Sequence, residues 1–178
     1  MATMSVTPTS HLSSDNDVVE AEVFIAAPPA RVFEAITDPK QRSQWWGLKG
    51  LFRVSDSQSD LRLGGKWFDV GVTDDGRPFR VEGEYLEIDP PRLLVLTRVA
   101  NFAGNIPTIV RWELEPRDVH GLHVSGTHRI GTGTLVKVSH SGFAGHLDFA
   151  QSHNQGWSAS LGWLQSFVEK GETMDTRS

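Results

Sequence analysis

The segment SHNQGWSASLGWLQSFVEK, residues 152–170, decides the fold. Trp157, Leu161, Leu164 and Val168 recur at spacings of four, three and four, and Trp163 and Phe167 widen the stripe. That pattern predicts an amphipathic helix from about Ser152 with a broad apolar face. Such a helix is stable only when the stripe is buried, so the rest of the chain must supply an apolar surface for it.

Upstream, strand-like runs succeed one another without interleaved helices: LFRVSD, LRLGGKWFDVGV, PFRVEGEYLEID, RLLVLTRVA, TIVRWELEP and TLVKVSHSG. They are separated by turn signals at Asp74-Asp75-Gly76-Arg77-Pro78, Asp89-Pro90-Pro91, Gly104-Asn105 and Asp118-Val119-His120-Gly121. Short meander connections predict an antiparallel sheet. In TIVRWELE, Val110, Trp112 and Leu114 share one face and Arg111, Glu113 and Glu115 the other, so one face meets a core and one meets water. The stretch from Leu122 to Ile130 reads equally as a short strand or an extended loop.

At the start, residues 1–16 are rich in Ser, Thr and Asp without periodicity and are expected to form a disordered tail. Alternation in VVEAEVFIA then predicts a strand from about Val18. The Pro28-Pro29 pair ends that strand and opens a helix carrying Val32, Phe33 and Ile36. Thr37-Asp38-Pro39 breaks this helix and caps a second, PKQRSQWW, which stops at Gly47. The whole is an α+β domain over residues 17–171, with a flexible C-terminal tail over 172–178. The last helix lies across the concave face of a strongly curved sheet. Space remains at one end, and residues 28–50 are its natural cover.

Composition narrows the function. The net charge of −5 supplies no basic face for a nucleic acid. The absence of cysteine excludes disulfides, thiolate catalysis and cysteine-ligated zinc. No run approaches the ~20 apolar residues of a membrane span and no secretory signal is present, so no membrane insertion and a cytoplasmic protein are expected. Phosphate-loop and dinucleotide motifs are absent, and so is the serine elbow of hydrolases, which leaves no cofactor implied. Among seven histidines, His120 with His123 and His146 with Asp148 are close, but neither spacing gives three convincing metal ligands.

The order of these elements, with IAAPPARVFEAITDPKQRSQWWG, LRLGGKWF, VEGEYLEIDPPRLLVLT, VSHSGF and GWSASLGWLQSFVE, resembles the START-like (SRPBCC) helix-grip superfamily. Within it the chain looks like the bacterial family named as homologues of the heat-shock chaperone ATPase activator. The resemblance spans about Val18 to Glu169. Between Glu115 and Thr134 the chain is longer than the family's usual tight hairpin. The resemblance implies the curved sheet and long helix of the birch-pollen-allergen-like fold, with a cavity between them often lined by apolar residues. It implies no single reaction. Members are mostly taken as ligand-binding or stress-associated proteins, a homodimer is plausible for the family, and relatives include lipid carriers, polyketide cyclases and hydrolases.

Six of the sixteen aromatic residues are Trp and one is Tyr, a bias that suits the wall of an apolar pocket. Adjacent Trp45 and Trp46 point about a quarter-turn or more apart on a helix. One can face the long helix and the other the cavity mouth. The expected wall for a small hydrophobic ligand is Phe52, Trp67, Tyr85, Trp112 and Trp157, with Trp45, Trp46 and Leu161. Core packing competes as the account of Trp157 and Leu161. His140 shares the parity of Val136 and Val138, so an inward face carries it into the apolar interior, as a polar handle or as a residue satisfied by backbone or by Tyr85. Arg98 and Arg111 are candidate anchors for a ligand carboxylate, although the parity of Arg111 places it with Glu113 on the solvent face. Two rivals stand beside ligand binding. One is a protein-interaction module such as a chaperone regulator. The other is a cyclase or hydrolase using His140 as general base.

Overall fold

A computed structural model describes residues 7–119, 123–124, 127–128 and 131–177 of the chain. The strands are β1 (Thr9–Leu12), β2 (Val18–Ile25), β3 (Gly47–Leu48), β4 (Phe52–Ser59), β5 (Lys66–Thr73), β6 (Pro78–Asp89), β7 (Leu93–Ala100), β8 (Thr108–Val119), β9 (His123–Val124), β10 (Thr127–His128) and β11 (Gly131–Ser141). The helices are α1 (Pro29–Thr37), α2 (Pro39–Trp45) and α3 (Leu147–Lys170). Nine strands form one antiparallel sheet in the order β1-β2-β11-β8-β7-β6-β5-β4-β3, and β9 pairs with β10. This is the helix-grip architecture: a curved open sheet, two short helices after an early strand, and a long C-terminal helix. No helix among the described residues is long and apolar enough to cross a membrane.

Alternation builds the concave face. Val19, Ala21, Val23 and Ile25 of β2, Val136 and Val138 of β11, and Val110, Trp112 and Leu114 of β8 are all buried. Their odd-parity neighbours Arg111 and Glu113 pair with each other on the outside, 2.8 Å apart. Register shifts at Val54/Asp56 in β4 and Tyr85/Glu87 in β6 are the bulges that bend the sheet. Gly83 lets the neighbouring strands and the Trp67 ring approach closely there. It pairs with Trp67, and a Cβ at this position would stand 1.8 Å from the Thr97 carbonyl oxygen and 2.7 Å from Trp67 Nε1.

Helix α3 buries Ala150, Trp157, Leu161, Leu164 and Phe167, and it packs most closely on β2 and β1. That leaves the part of the concave face formed by β5 to β8 for α1 and α2 to close. Asp38 caps α2, accepting from Lys40 N at 3.0 Å, with Pro39 in the first turn.

The structure differs from the sequence pattern in four places. Thr9–Leu12, within the expected tail, pairs with β2 from Thr9↔Glu22 to Leu12↔Val19 and covers what would otherwise be an open sheet edge. Residues 61–65 are a turn, not strand, because Gly65 N returns to the Arg62 carbonyl at 2.8 Å. Helix α3 begins at Leu147, five residues before the expected start at Ser152, and Ala150 is its sole fully buried residue before Trp157. The expected flexible tail is docked: Met174 is buried, and its N–H donates to the Gln44 carbonyl at 2.8 Å. The long β8–β11 hairpin stays paired out to Val119↔Gly131. His120 and most of the 122–130 stretch lie outside the described residues.

Candidate functional site

A cavity of about 50 Å³ lies where β5 to β8 face α1, α2 and the middle of α3. Trp45, Trp46, Trp67, Trp112 and Trp157 line it, with aliphatic side chains from α1 and the strands between them. Four of the five indoles form a chain of edge-on contacts. Ring centroids are 5.2 Å apart for Trp45–Trp46, 5.9 Å for Trp46–Trp157 and 5.3 Å for Trp157–Trp112. These are the separations at which aromatic rings attract beyond simple burial.

The adjacent tryptophans divide their roles. Trp45 is 1% exposed and its Nε1 donates to the Ala35 carbonyl at 2.8 Å, which fastens α2 to α1. Trp46 sits past the last turn of α2 in an extended conformation and is only partly buried. The backbone turns from helical to extended between them, and both rings reach the cavity in edge-on contact with each other. Trp46 and Arg98 are part-exposed, whereas the other lining residues are buried.

Two polar features interrupt the wall. Arg42 of α2 and Asp69 of β5 form an ion pair with both side chains 9% exposed. Ser57 Oγ donates to the same Asp69 oxygen at 2.6 Å, and the Arg42 guanidinium lies 4.8 Å above the Trp67 ring. Arg98 follows Leu94 and Leu96 on the inward parity of β7. Its Nη1 donates to His153 Nε2 at 3.0 Å. His153 Nδ1 in turn donates to the Phe149 carbonyl at 2.7 Å, which fixes the neutral tautomer. Burial, then the nearby Arg98 charge, push the His153 pKa down to about 4. Desolvation lowers Arg98 to about 10, so it stays a cation at neutral pH.

His140 stands behind this wall and does not line the cavity. It is fully buried, and both ring nitrogens are engaged. Trp157 Nε1 donates to Nδ1 at 3.0 Å; Nε2 then carries the proton and donates to Thr108 Oγ1 at 2.7 Å. The Thr108 hydroxyl passes the sequence on to the Arg98 carbonyl at 2.9 Å. Burial and the Arg98 charge hold the imidazole well below its ordinary pKa. This closed series leaves His140 no free lone pair for a substrate proton.

Of the expected wall residues, the structure brings Trp45, Trp46, Trp67, Trp112 and Trp157 together. It does not bring Phe52, Tyr85, Leu161 or His140 to the cavity surface. Phe52 packs edge-on against Phe79 and Trp163, at 5.5 and 6.0 Å. The Tyr85 hydroxyl pairs with Ser59 Oγ at 2.6 Å, and Leu161 is wholly inside the core. Sequence reasoning missed Arg42 and Asp69. The signal was present: Asp69 shares the parity of Trp67, a carboxylate on an inward strand face, which demands a buried cation. Among the described residues no cluster of three His, Cys, Asp or Glu side chains offers a metal site.

The family model described as Activator of Hsp90 ATPase homolog 1-like protein matches residues 26–169. The chain belongs to this family. The matched region runs from the end of β2 to the last turn of α3 and contains every residue lining the cavity. Solved structures agree on the fold. A protein from Rhodobacter sphaeroides superposes with a TM-score of 0.70 at 18% identity, over 91% of this chain and 95% of that one. One from Chromobacterium violaceum gives 0.64 at 22% identity, over 86% and 98%. The AHSA1-like protein from Aeromonas hydrophila gives 0.62 at 19% identity, over 85% and 93%. No curated protein matches the sequence.

Proposed function

We propose that this member of the family binds a small hydrophobic or amphipathic molecule in the tryptophan-lined cavity. The observation that carries the reading is the chain of indoles Trp45–Trp46–Trp157–Trp112, contributed by two helices and a strand and converging on one space. A core packed for stability alone loses contacts at a void among its largest side chains, whereas a ligand filling that space gains roughly 25 cal/mol for each Å² of its apolar surface withdrawn from water. The cavity is well under the ~300 Å³ of a drug-sized pocket. The ligand is therefore small, or Trp46 swings outward to admit it. Trp46 is suited to that: it is part-exposed and its indole is held by ring contacts and packing, whereas the Trp45 indole is pinned by a hydrogen bond.

Native mass spectrometry of freshly purified protein, with organic extraction of anything bound, tests this. A discrete added mass that leaves on denaturation is expected. A bare chain whose tryptophan fluorescence responds saturably to no small apolar probe would remove the reading.

A further inference from the structure

The polar groups of the cavity are unbalanced in one direction. Two arginines, Arg42 and Arg98, and one carboxylate, Asp69, line it. Asp69 is committed to Arg42 and Ser57. The wall therefore keeps one uncompensated positive charge, in a chain whose net charge is −5. Among the described residues every other arginine has its negative partner or a substitute. Arg31, Arg53, Arg62, Arg77, Arg80, Arg92, Arg111 and Arg117 each meet a carboxylate. Arg177 donates to the carbonyls of Gly47 and Trp45. Arg98 meets only the neutral His153, which occupies one of its five donors. A second donor is unmatched in the same wall: Trp67 Nε1 is buried without an acceptor among the described residues. What the cavity lacks is acceptors and negative charge.

Position matches this deficit. Arg98 is part-exposed as a residue although its charged end is desolvated, and it lines both the tryptophan cavity and a smaller space bounded by Ala103, Ile106, Phe143 and Phe149. A molecule with its apolar body among the indoles places its head at the guanidinium. A planar two-oxygen anion fits the guanidinium fork better than a point acceptor does.

We propose that the ligand is a small amphipathic carboxylic acid, aromatic or short-chain, whose carboxylate pairs with Arg98 while its apolar body lies against Trp46, Trp112 and Trp157. This rests on the ligand-binding reading above, and deepens it by naming the head group.

The test is titration of the full chain with phenylacetic, cinnamic, hexanoic and octanoic acids, each against its own primary amide, read by tryptophan fluorescence and calorimetry near neutral pH. The amide keeps the shape and removes the charge. The acids are expected to bind about tenfold or more tighter than their amides. Arg98→Gln is expected to close most of that gap, with acid affinity falling by more than amide affinity, and Arg98→Lys, which keeps the charge, retains part of it. Amides that bind as tightly as the acids overturn the role of Arg98 and leave the apolar cavity reading standing. Saturable binding of no acid and no amide overturns both. If Arg98→Gln does not fold, the wild-type comparison and Arg98→Lys still decide.

Discussion

The indole N–H of Trp157 donates to Nδ1 of His140 across 3.0 Å of buried space, joining the middle of α3 to the end of β11. This one contact makes the imidazole an acceptor on one side and a donor to Thr108 on the other, and so requires it to be neutral. His153, four residues before Trp157, is neutral for a matching reason, held between Arg98 and the Phe149 carbonyl.

Acid sensitivity above the carboxylate range follows. Both histidines have pKa values lowered by folding, so the unfolded chain binds protons that the native one refuses. Stability is then complete above the unfolded value of 6.5 and falls as pH drops below it, down to about 4 in the case of His153. His153 alone accounts for roughly 2–3 kcal/mol over that window. Urea unfolding followed from about pH 7 to about pH 4.5 should show a steadily decreasing midpoint, with a shallower decline in His153→Gln. A midpoint flat across the window would mean that these rings are not neutral in the folded state.

Trp45 and Trp46 should separate stability from binding. Trp45→Phe removes the bond to Ala35 and opens space in the core, costing about 2–3 kcal/mol. Trp46→Phe keeps a ring at a part-exposed position and costs about 1 kcal/mol or less. Its effect is expected in ligand titration, where affinity falls while the urea midpoint barely moves. The reverse assignment, with Trp46 dominating stability, would show that the two residues are both simple core.

The Arg42–Asp69 pair should behave as a unit. Asp69→Asn strands a buried guanidinium and is expected to cost about 3–5 kcal/mol. Replacing both, Arg42→Met with Asp69→Leu, removes the charge requirement and should be less damaging than Asp69→Asn alone. Additive losses in a denaturation double-mutant cycle would show that the two side chains are independent.

Most of this fold was legible because its periodicities are clean. The spacing of Trp157, Leu161 and Leu164 named the helix, and the alternation of Val110, Trp112 and Leu114 named the concave face. The site was legible in its tryptophans for the same reason. Phe52 was misplaced because parity cannot say how far a curved strand near the end of the sheet carries a side chain from the centre; it ends against Phe79 and Trp163. His140 was read as inward and is inward, but one sequence does not reveal that Trp157 and Thr108 would take both its nitrogens. Thr9–Leu12 and the C-terminal residues escaped because polar, aperiodic segments order only through partners elsewhere in the chain.

The C-terminal segment supplies the last test, because it fastens the element that carries Trp46. Arg177 donates to the carbonyls of Gly47 and Trp45 at 2.9 and 3.1 Å, and its guanidinium lies 5.5 Å from the centre of the Trp163 ring. Met174 packs so closely on Gly47 that a Cβ there would stand 2.7 Å from its sulfur. Gly47 has φ +143°, a conformation that side chains rarely adopt, so glycine is needed twice over. Deleting residues 172–178 removes the buried methionine and both arginine bonds, and is expected to cost about 2–4 kcal/mol. The loss should be local as well as global: amides of α2 and of Trp46 exchange faster, while those of β8 and β11 change only with overall stability. Met174→Ala should reproduce the direction at smaller size, and Gly47→Ala should act on the same amides. Unchanged exchange at α2 in the truncated chain would show that the segment rests on the surface without holding the cavity's cover in place.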